Sequence, residues 1–163
     1  MTVRELTDHL RREVTLYKEL NEALRAETRN LMERDYKGLF DTVSRKESVL
    51  LRLSEAASAR GRLLAAVARS LGLEGDGVKL SDVIGRLDGA ERTELEGLQS
   101  SLLALTAGAA EINEVNKLTV KGCLENVNKT LQLLGGLAGP GTYGRTGAVG
   151  EIAVKGTRLS EGA

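Results

Sequence analysis

Few side chains in this chain could perform catalysis or bind a metal. His9 is the only histidine and Cys123 the only cysteine. Glu5 and Glu13 lie one helical turn before and after His9, which makes an acidic environment but no metal-ligand set, so we interpret this group as a solvated helix face. Cys123 has no second thiol and no histidine near it in sequence, and we interpret it as a small packing residue. We predict no catalytic residue, no metal site and no cofactor.

A glycine-rich strip near the C-terminus imitates two nucleotide-binding motifs. Residues 139–144 fit G-x-G-x-x-G, and residues 139–146 approach a phosphate loop with Arg in place of Lys. Both motifs bind phosphate between a strand and a helix, where backbone amides converge at the helix N-terminus. Here the strip follows a helical pattern and no strand pattern surrounds it. The sequence therefore argues against nucleotide binding.

The composition indicates a helical protein without a nucleic-acid or membrane surface. Hydrophobic residues make up 41% of the chain, but aromatic residues only 2%, which suits packing between helices better than between sheets. Lys plus Arg and Asp plus Glu number 23 each, so no net basic field attracts nucleic acid or anionic lipid. No apolar run is long enough for membrane insertion. A single cysteine and a charged, helix-patterned start lead us to expect a cytoplasmic protein.

Residues 3–33 and 36–71 are predicted to form two long helices. In the first, apolar residues occupy a and d positions of a heptad, interrupted at Glu13, Glu27 and Arg34. In the second, an apolar residue recurs at every seventh position: Tyr36, Val43, Leu50, Ala57, Leu64 and Leu71. These two stripes predict that the helices bury their apolar faces against a partner.

The two stripes are out of phase, because Leu31 and Tyr36 are five residues apart. We therefore place a reversal between Arg34 and Gly38, with Gly38 as the strongest helix breaker. A hairpin would let the two stripes bury each other and is the preferred interpretation. One kinked helix is the alternative.

A glycine-broken connection leads to a third long helix. Residues 72–90 hold five glycines and are predicted to contain a short helix at 82–88, capped by Ser81. Residues 91–134 lack proline, and apolar residues recur there at steps of three and four: Leu95, Leu98, Leu102, Leu105, Ala109 and Ile112. At about 1.5 Å per residue this helix would be about 65 Å long, too long to be enclosed by a chain of this size.

The apolar spacing of the third long helix changes after Ile112. We name its later apolar residues the late stripe: Val120, Leu124, Val127, Leu131 and Leu134. An extra step of four at Asn116 leads into the late stripe, a stutter that locally unwinds a coiled coil. A polar Asn at such a position can set helix register. Because the first two helices are shorter, we expect the late stripe to lack an internal partner and to bind an amphipathic helix of another protein or of a second copy.

Residues 135–163 depart from the helical pattern. Nine of these 29 residues are glycine, so they cannot bury enough apolar surface to offset their ordering entropy, and we predict a disordered tail whose only aromatic residue is Tyr143. The expected fold is all-α: an elongated antiparallel helical hairpin plus one long C-terminal helix, a three-helix coiled-coil-like bundle. This helical domain covers residues 1–134, and the tail covers 135–163.

The order of these features resembles the FlgN family of flagellar type III export chaperones. Residues 46–53 read KESVLLRL after the amphipathic first helix, and residues 80–84 of the connection read LSDVI. Residues 112–116 read INEVN, similar to the family's hydrophobic-Asn-x-x-Asn signature. Residues 142–147 read TYGRTG, similar to the family's Tyr-Gly-x-x-Gly. The resemblance covers nearly the whole chain.

The resemblance implies a non-enzymatic cytoplasmic chaperone. Such a chaperone binds the C-terminal amphipathic helices of hook-associated (hook–filament junction) proteins, prevents their premature association and delivers them to the type III export gate. Tyr143 would dock on the cytoplasmic domain of the gate protein. The residues that would bind the client, carried over by position, are Asn113, Asn116, Val120, Leu124, Val127 and Leu131. The alternative is a homodimeric or larger coiled-coil scaffold without an export role, and whether Asn116 contacts the client or only sets register stays open.

Overall fold

The structure is a computed structural model that describes residues 2–73 and 77–137. Within these ranges the chain forms helices and connections without a strand, which confirms the predicted all-α fold. The helices are α1 (Val3–Glu33), α2 (Tyr36–Ser70), α3 (Leu80–Ile84) and α4 (Gly89–Leu137). The three long helices begin within two residues of their predicted starts. Residues 135–137, predicted to begin the tail, are still helical, and the rest of the predicted tail lies outside the described residues.

The chain divides into two compact units, Met1–Thr119 and Val120–Ala163, whereas the sequence predicts a single boundary after residue 134. The boundary between the units falls within α4, shortly after Asn116, which is the last residue of α4 that is buried among those described. The stutter in the sequence pattern at Asn116 lies just before this boundary, while α4 itself continues through it. The difference reflects packing, not a break in the helix.

The first two helices form an antiparallel hairpin, and the kinked single helix is excluded. Side-chain contacts between them pair early positions of α1 with late positions of α2, as in Glu13–Arg60, Glu19–Arg52 and Glu27–Lys46. Contacts that run in opposite chain directions require the helices to lie side by side. The hairpin interpretation is therefore confirmed.

The reversal between α1 and α2 is made by Arg34 and Asp35. Arg34 adopts a left-handed conformation with φ of 58°, which ends α1. Asp35 caps α2, because its carboxylate accepts a hydrogen bond from the backbone N–H of Gly38 at 3.0 Å. Gly38 lies inside the first turn of α2 and does not break it, contrary to prediction. A Cβ at this position would collide with the Asp35 carboxylate, so glycine here makes room for the cap.

The every-seventh stripe predicted for α2 is only partly its buried face, since Leu64 and Leu71 pack against the core but other members do not. Tyr36 and Leu50 are exposed, while the adjacent Val49 and the nearby Leu53 are buried against α1. A repeat of seven identifies one apolar position per two turns, but the residues beside Leu50 are equally apolar. Contact with α1 decides which of these neighbouring residues is buried. Around Leu50 the predicted buried face was wrong by about one position.

Two apolar clusters fill the unit Met1–Thr119. The first joins all four helices near α3: Leu6, Leu10, Val67, Ala68, Val83, Ile84, Leu87, Leu95 and Leu102. The second joins the three long helices further along α1: Leu16, Leu20, Leu24, Val49, Leu53 and Ala109. The apolar stripe predicted for the first half of α4 thus packs on the hairpin, since Leu95, Leu102 and Ala109 are all buried.

The short helix α3 begins and ends earlier than predicted. It covers Leu80–Ile84, not 82–88, and Ser81 is not its cap. Its first turn is tied by Asp82, whose carboxylate accepts the backbone N–H of Lys79 at 2.8 Å. Leu87 lies beyond the helix and is nevertheless buried, so its apolar character reflects packing and not helix length.

The acidic residue that first interrupts the α1 heptad is buried and paired. Glu13 is 1% exposed, and its Oε2 accepts a hydrogen bond from Arg60 Nη1 at 2.7 Å. His9 Nε2 lies 3.8 Å from the other carboxylate oxygen and donates to the backbone carbonyl of Ala56 at 2.8 Å. His9 is therefore part of the α1–α2 contact, and the interpretation of His9 and its acidic neighbours as a solvated helix face was wrong.

Removal of Arg60 should destabilise the hairpin more than removal of its buried partner. Arg60→Ala leaves the Glu13 carboxylate buried without its main cation, and we expect a loss of about 2–3 kcal/mol in the free energy of unfolding. Glu13→Leu fills the same space with an apolar side chain and should change stability by less than about 1 kcal/mol. Urea unfolding followed by circular dichroism measures both.

Arg62→Ala is the matched control, because Arg62 is exposed on the same helix and forms no ion pair within the part of the chain that the structure describes. Equal losses for Arg60→Ala and Arg62→Ala would contradict the importance of the Glu13 pair.

Candidate functional site

The residues predicted to bind a client are divided between the two units. Asn113 is exposed and Asn116 is buried, one turn apart in the unit Met1–Thr119. The late stripe belongs to the unit Val120–Ala163. Tyr143 lies outside the described residues. Each unit is therefore considered by itself, with Asn116 in the interior of the first.

Asn116 is the centre of a buried polar network. The side chain is 3% exposed, and its Nδ2 donates to the backbone carbonyl of Leu24 and to Glu27 Oε2, both at 3.0 Å. Its Oδ1 accepts a hydrogen bond from Thr28 Oγ1 at 2.7 Å. Glu27 Oε1 in turn accepts from Lys46 Nζ at 2.6 Å. These contacts link α4 to α1 and α1 to α2 at one level of the bundle.

The network determines the register of α4 along α1. A second amide contact, from Asn21 Nδ2 to the backbone carbonyl of Leu105 at 3.0 Å, repeats the same kind of link three turns earlier on α4. Because Asn21 lies before Thr28 and Leu105 before Asn116, α1 and α4 run in the same direction in this unit. A slip of either helix by one residue would leave buried polar groups without partners.

The sequence indicated Asn116 but not its partner Glu27, nor the Lys46 that pairs with Glu27. The missed signal is the position of Glu27, which occupies an a or d site of the α1 heptad. A carboxylate at such a site is buried when the a and d positions of the helix are buried. A buried carboxylate needs a cation or several hydrogen-bond donors as partners. The heptad interruption therefore predicted a partner, although not which residue would supply it.

The late stripe is apolar and accessible within its own unit. Its members, spaced by four and three residues along α4, are each between 40% and 60% exposed: Val120, Leu124, Val127, Leu131 and Leu134. Leu133, beside the stripe, is 72% exposed. Large apolar side chains at helical spacing normally face a partner, since each would be stabilised by about 1.5–3 kcal/mol on burial.

We also searched the described residues for a metal site and for a membrane-spanning helix. Across residues 2–73 and 77–137, no three His, Cys, Asp or Glu side chains are grouped so that they could hold a metal ion. Over the same described ranges, no helix combines the length and the apolarity that a membrane span needs. Cys123 is exposed, so the expectation that it packs in the interior was wrong.

Asn116 and Asn113 make a matched pair for testing the network. Asn116→Ala leaves Glu27 with one donor fewer in the interior, and we expect the free energy of unfolding to fall by about 1–3 kcal/mol. Asn113→Ala changes an exposed side chain on the same helix and should stay within about 0.5 kcal/mol of the parent. Urea unfolding midpoints distinguish them, and equal shifts would show that the network does not hold α4 in place.

Comparison with known proteins identifies the family. A family profile described as FlgN protein matches residues 1–151, which is most of the chain. No curated protein and no solved structure matches it. The matched region contains the hairpin, the Asn116 network and the late stripe. The chain therefore belongs to the FlgN family, the flagellar export chaperones for hook-associated proteins.

Proposed function

We propose that the late stripe binds the C-terminal amphipathic helices of hook–filament junction proteins. The protein would hold these helices in the cytoplasm, prevent their premature association and deliver them to the export gate. The observation that carries the proposal is the exposure of the late stripe along consecutive turns of α4. Membership of the FlgN family supports the same kind of partner.

The stripe has the pattern that helix-in-groove recognition requires. An amphipathic client helix presents anchors at i, i+3, i+4 and i+7, and the late stripe has the complementary spacing. Its side chains are aliphatic and without charge, so they supply apolar contact but little selectivity. A client stripe of leucine and valine would fit against it without burying a charged group of this chain.

The expected affinity is moderate. Burial of five aliphatic side chains yields a gross gain of about 1.5–3 kcal/mol for each. Association costs about 4–15 kcal/mol in lost freedom, and the ordering of a client helix adds to that cost. The gain from burial thus exceeds the cost of association only modestly, so the client can be bound and later released. An export chaperone needs this reversibility at the gate.

The two asparagines are assigned different roles in this proposal. Asn113 is exposed and available to hydrogen-bond a client. Asn116 has its amide atoms engaged by α1, so we assign it to the register of α4 rather than to client contact. Tyr143, six residues after the end of α4, is proposed as the anchor for the cytoplasmic domain of the gate protein, because aromatic residues often dominate small binding surfaces.

Two charges placed in the late stripe should abolish client binding without affecting the fold. Val120→Asp with Val127→Asp puts carboxylates where apolar anchors would be buried, and we expect at least about a hundredfold weaker binding of a junction-protein C-terminal peptide. Isothermal titration calorimetry measures the affinity, and circular dichroism checks the helix content. Leu50→Asp with Leu103→Asp, two exposed leucines outside the stripe, is the control pair.

Unchanged affinity in the stripe variant would contradict the client assignment. Light scattering tests the homo-oligomeric scaffold. That function would be favoured if the parent is a stable dimer, the stripe variant is a monomer and peptide binding is unchanged. The same exposed stripe is the observation that favours that second candidate.

Loss of Tyr143 should separate gate docking from client binding. For Tyr143→Ala we expect client affinity as in the parent and at least about tenfold weaker binding to the purified cytoplasmic domain of the gate protein, as is usual for an aromatic anchor. Tyr36→Ala is the matched control, since Tyr36 is an exposed tyrosine on α2. Biolayer interferometry against the immobilised gate domain measures the effect, and equal binding by both variants would refute the docking role.

A further inference from the structure

A groove lies between α1 and α4 within the unit Met1–Thr119. Its volume is about 530 Å³, in the range of ligand sites. It is lined by three residues from α1 and three from α4: Arg25, Thr28, Arg29, Glu111, Ile112 and Val115. The lining residues span five positions on each helix, and four steps of about 1.5 Å make about 6 Å along the axis, so the groove matches about one turn of an α-helix.

The α1 side of the groove carries two arginines that are not used by the fold. Arg25 and Arg29 are four residues apart, both are exposed, and neither forms an ion pair with another of the described residues. The contrast is on α2, where Arg45, Arg52 and Arg60 all pair with glutamates of α1. The unpaired pair therefore presents positive charge along one edge of the groove.

The α4 side of the groove is apolar with one acidic residue. Val115 is 51% exposed and Ile112 is partly buried. Glu111 lines the same side and forms no ion pair within the described part of the chain. An occupant must therefore place apolar atoms against the α4 side and negative charge towards the arginines of α1. Near Glu111 it must carry either no charge or a positive charge.

We propose that this groove takes one turn of an amphipathic α-helix from another protein, with two acidic residues four positions apart facing Arg25 and Arg29. The apolar side chain between them would lie on Ile112 and Val115. The groove belongs to the unit Met1–Thr119 and the late stripe to the unit Val120–Ala163, and the inference does not depend on the client assignment made for that stripe.

The walls of the groove favour a helix over an extended segment. Both walls are interior turns of long helices, whose backbone N–H and C=O groups are bonded within α1 and α4. An extended peptide would find no backbone partners there and would leave its own polar groups unpaired. A helix arrives with these groups already bonded, and acidic residues at i and i+4 have the same spacing along the axis as the two arginines.

The charge pattern argues that the occupant is not this chain itself. No two acidic residues in the sequence are four positions apart. Within residues 138–163 the acidic residues are Glu151 and Glu161, ten positions apart, and the basic residues outnumber them. Neither these residues nor a helix of a second copy supplies the acidic pair that the groove requires.

Three synthetic helical peptides test the proposal against the full chain. They share a leucine face and differ only at two flank positions four residues apart, which are Glu, Gln or Lys. We expect the Glu peptide to bind about tenfold more tightly than the Gln peptide in low salt, as measured by fluorescence anisotropy, with the difference reduced in high salt.

Charge reversal on the protein should reverse the preference between the peptides. Arg25→Glu with Arg29→Glu should lower affinity for the Glu peptide at least about tenfold and raise it for the Lys peptide. Arg4→Glu with Arg62→Glu, an equal charge change on exposed residues outside the groove, should leave the order unchanged. Val120→Asp with Val127→Asp should also leave it unchanged, which separates this surface from the late stripe.

Three outcomes would overturn the proposal. The first is equal affinity of the parent protein for the Glu and Gln peptides. The second is an equal loss of affinity for the Glu peptide in the Arg25/Arg29 variant and in the Arg4/Arg62 control. The third is a parent that dimerises in light scattering and becomes monomeric on reversal of Arg25 and Arg29, because the occupant would then be a second copy.

Discussion

The fold depends on the need to satisfy one buried carboxylate. Glu27 lies in the interior of the bundle, where an unpaired charge would cost several kcal/mol, and it is paired by Lys46 from α2 and Asn116 from α4. These contacts hold three helices at a single level. Aliphatic packing alone tolerates sliding between helices, whereas this geometry is satisfied in one register.

Register in turn decides which residues of α4 are available for binding. With Asn116 held against Leu24 and Thr28, the apolar stripe of α4 packs on the hairpin up to Ala109 and Ile112. Beyond Asn116 no described residue of α4 is buried. The polar network therefore separates the part of the helix that stabilises the protein from the part whose apolar side chains are accessible.

The two candidate surfaces differ in chemistry. The late stripe is aliphatic and uncharged, so it supplies apolar contact area but tolerates many amphipathic helices. The groove beside Ile112 has charge of both signs, and charge complementarity selects among partners more than it adds affinity.

The sequence by itself determined the helices, since spacing of three and four residues depends only on near neighbours. It also indicated an accessible late stripe, because α4 is longer than the helices that could cover it. Tertiary structure decided what depends on distant residues: the buried face of α2, where Val49 and not Leu50 is enclosed, and the partners of Glu13 and Glu27. Periodicity reports which face of a helix is apolar, but register between helices determines which side chain meets which. The groove of Arg25 and Arg29 arises from that register, so no local pattern could have predicted it.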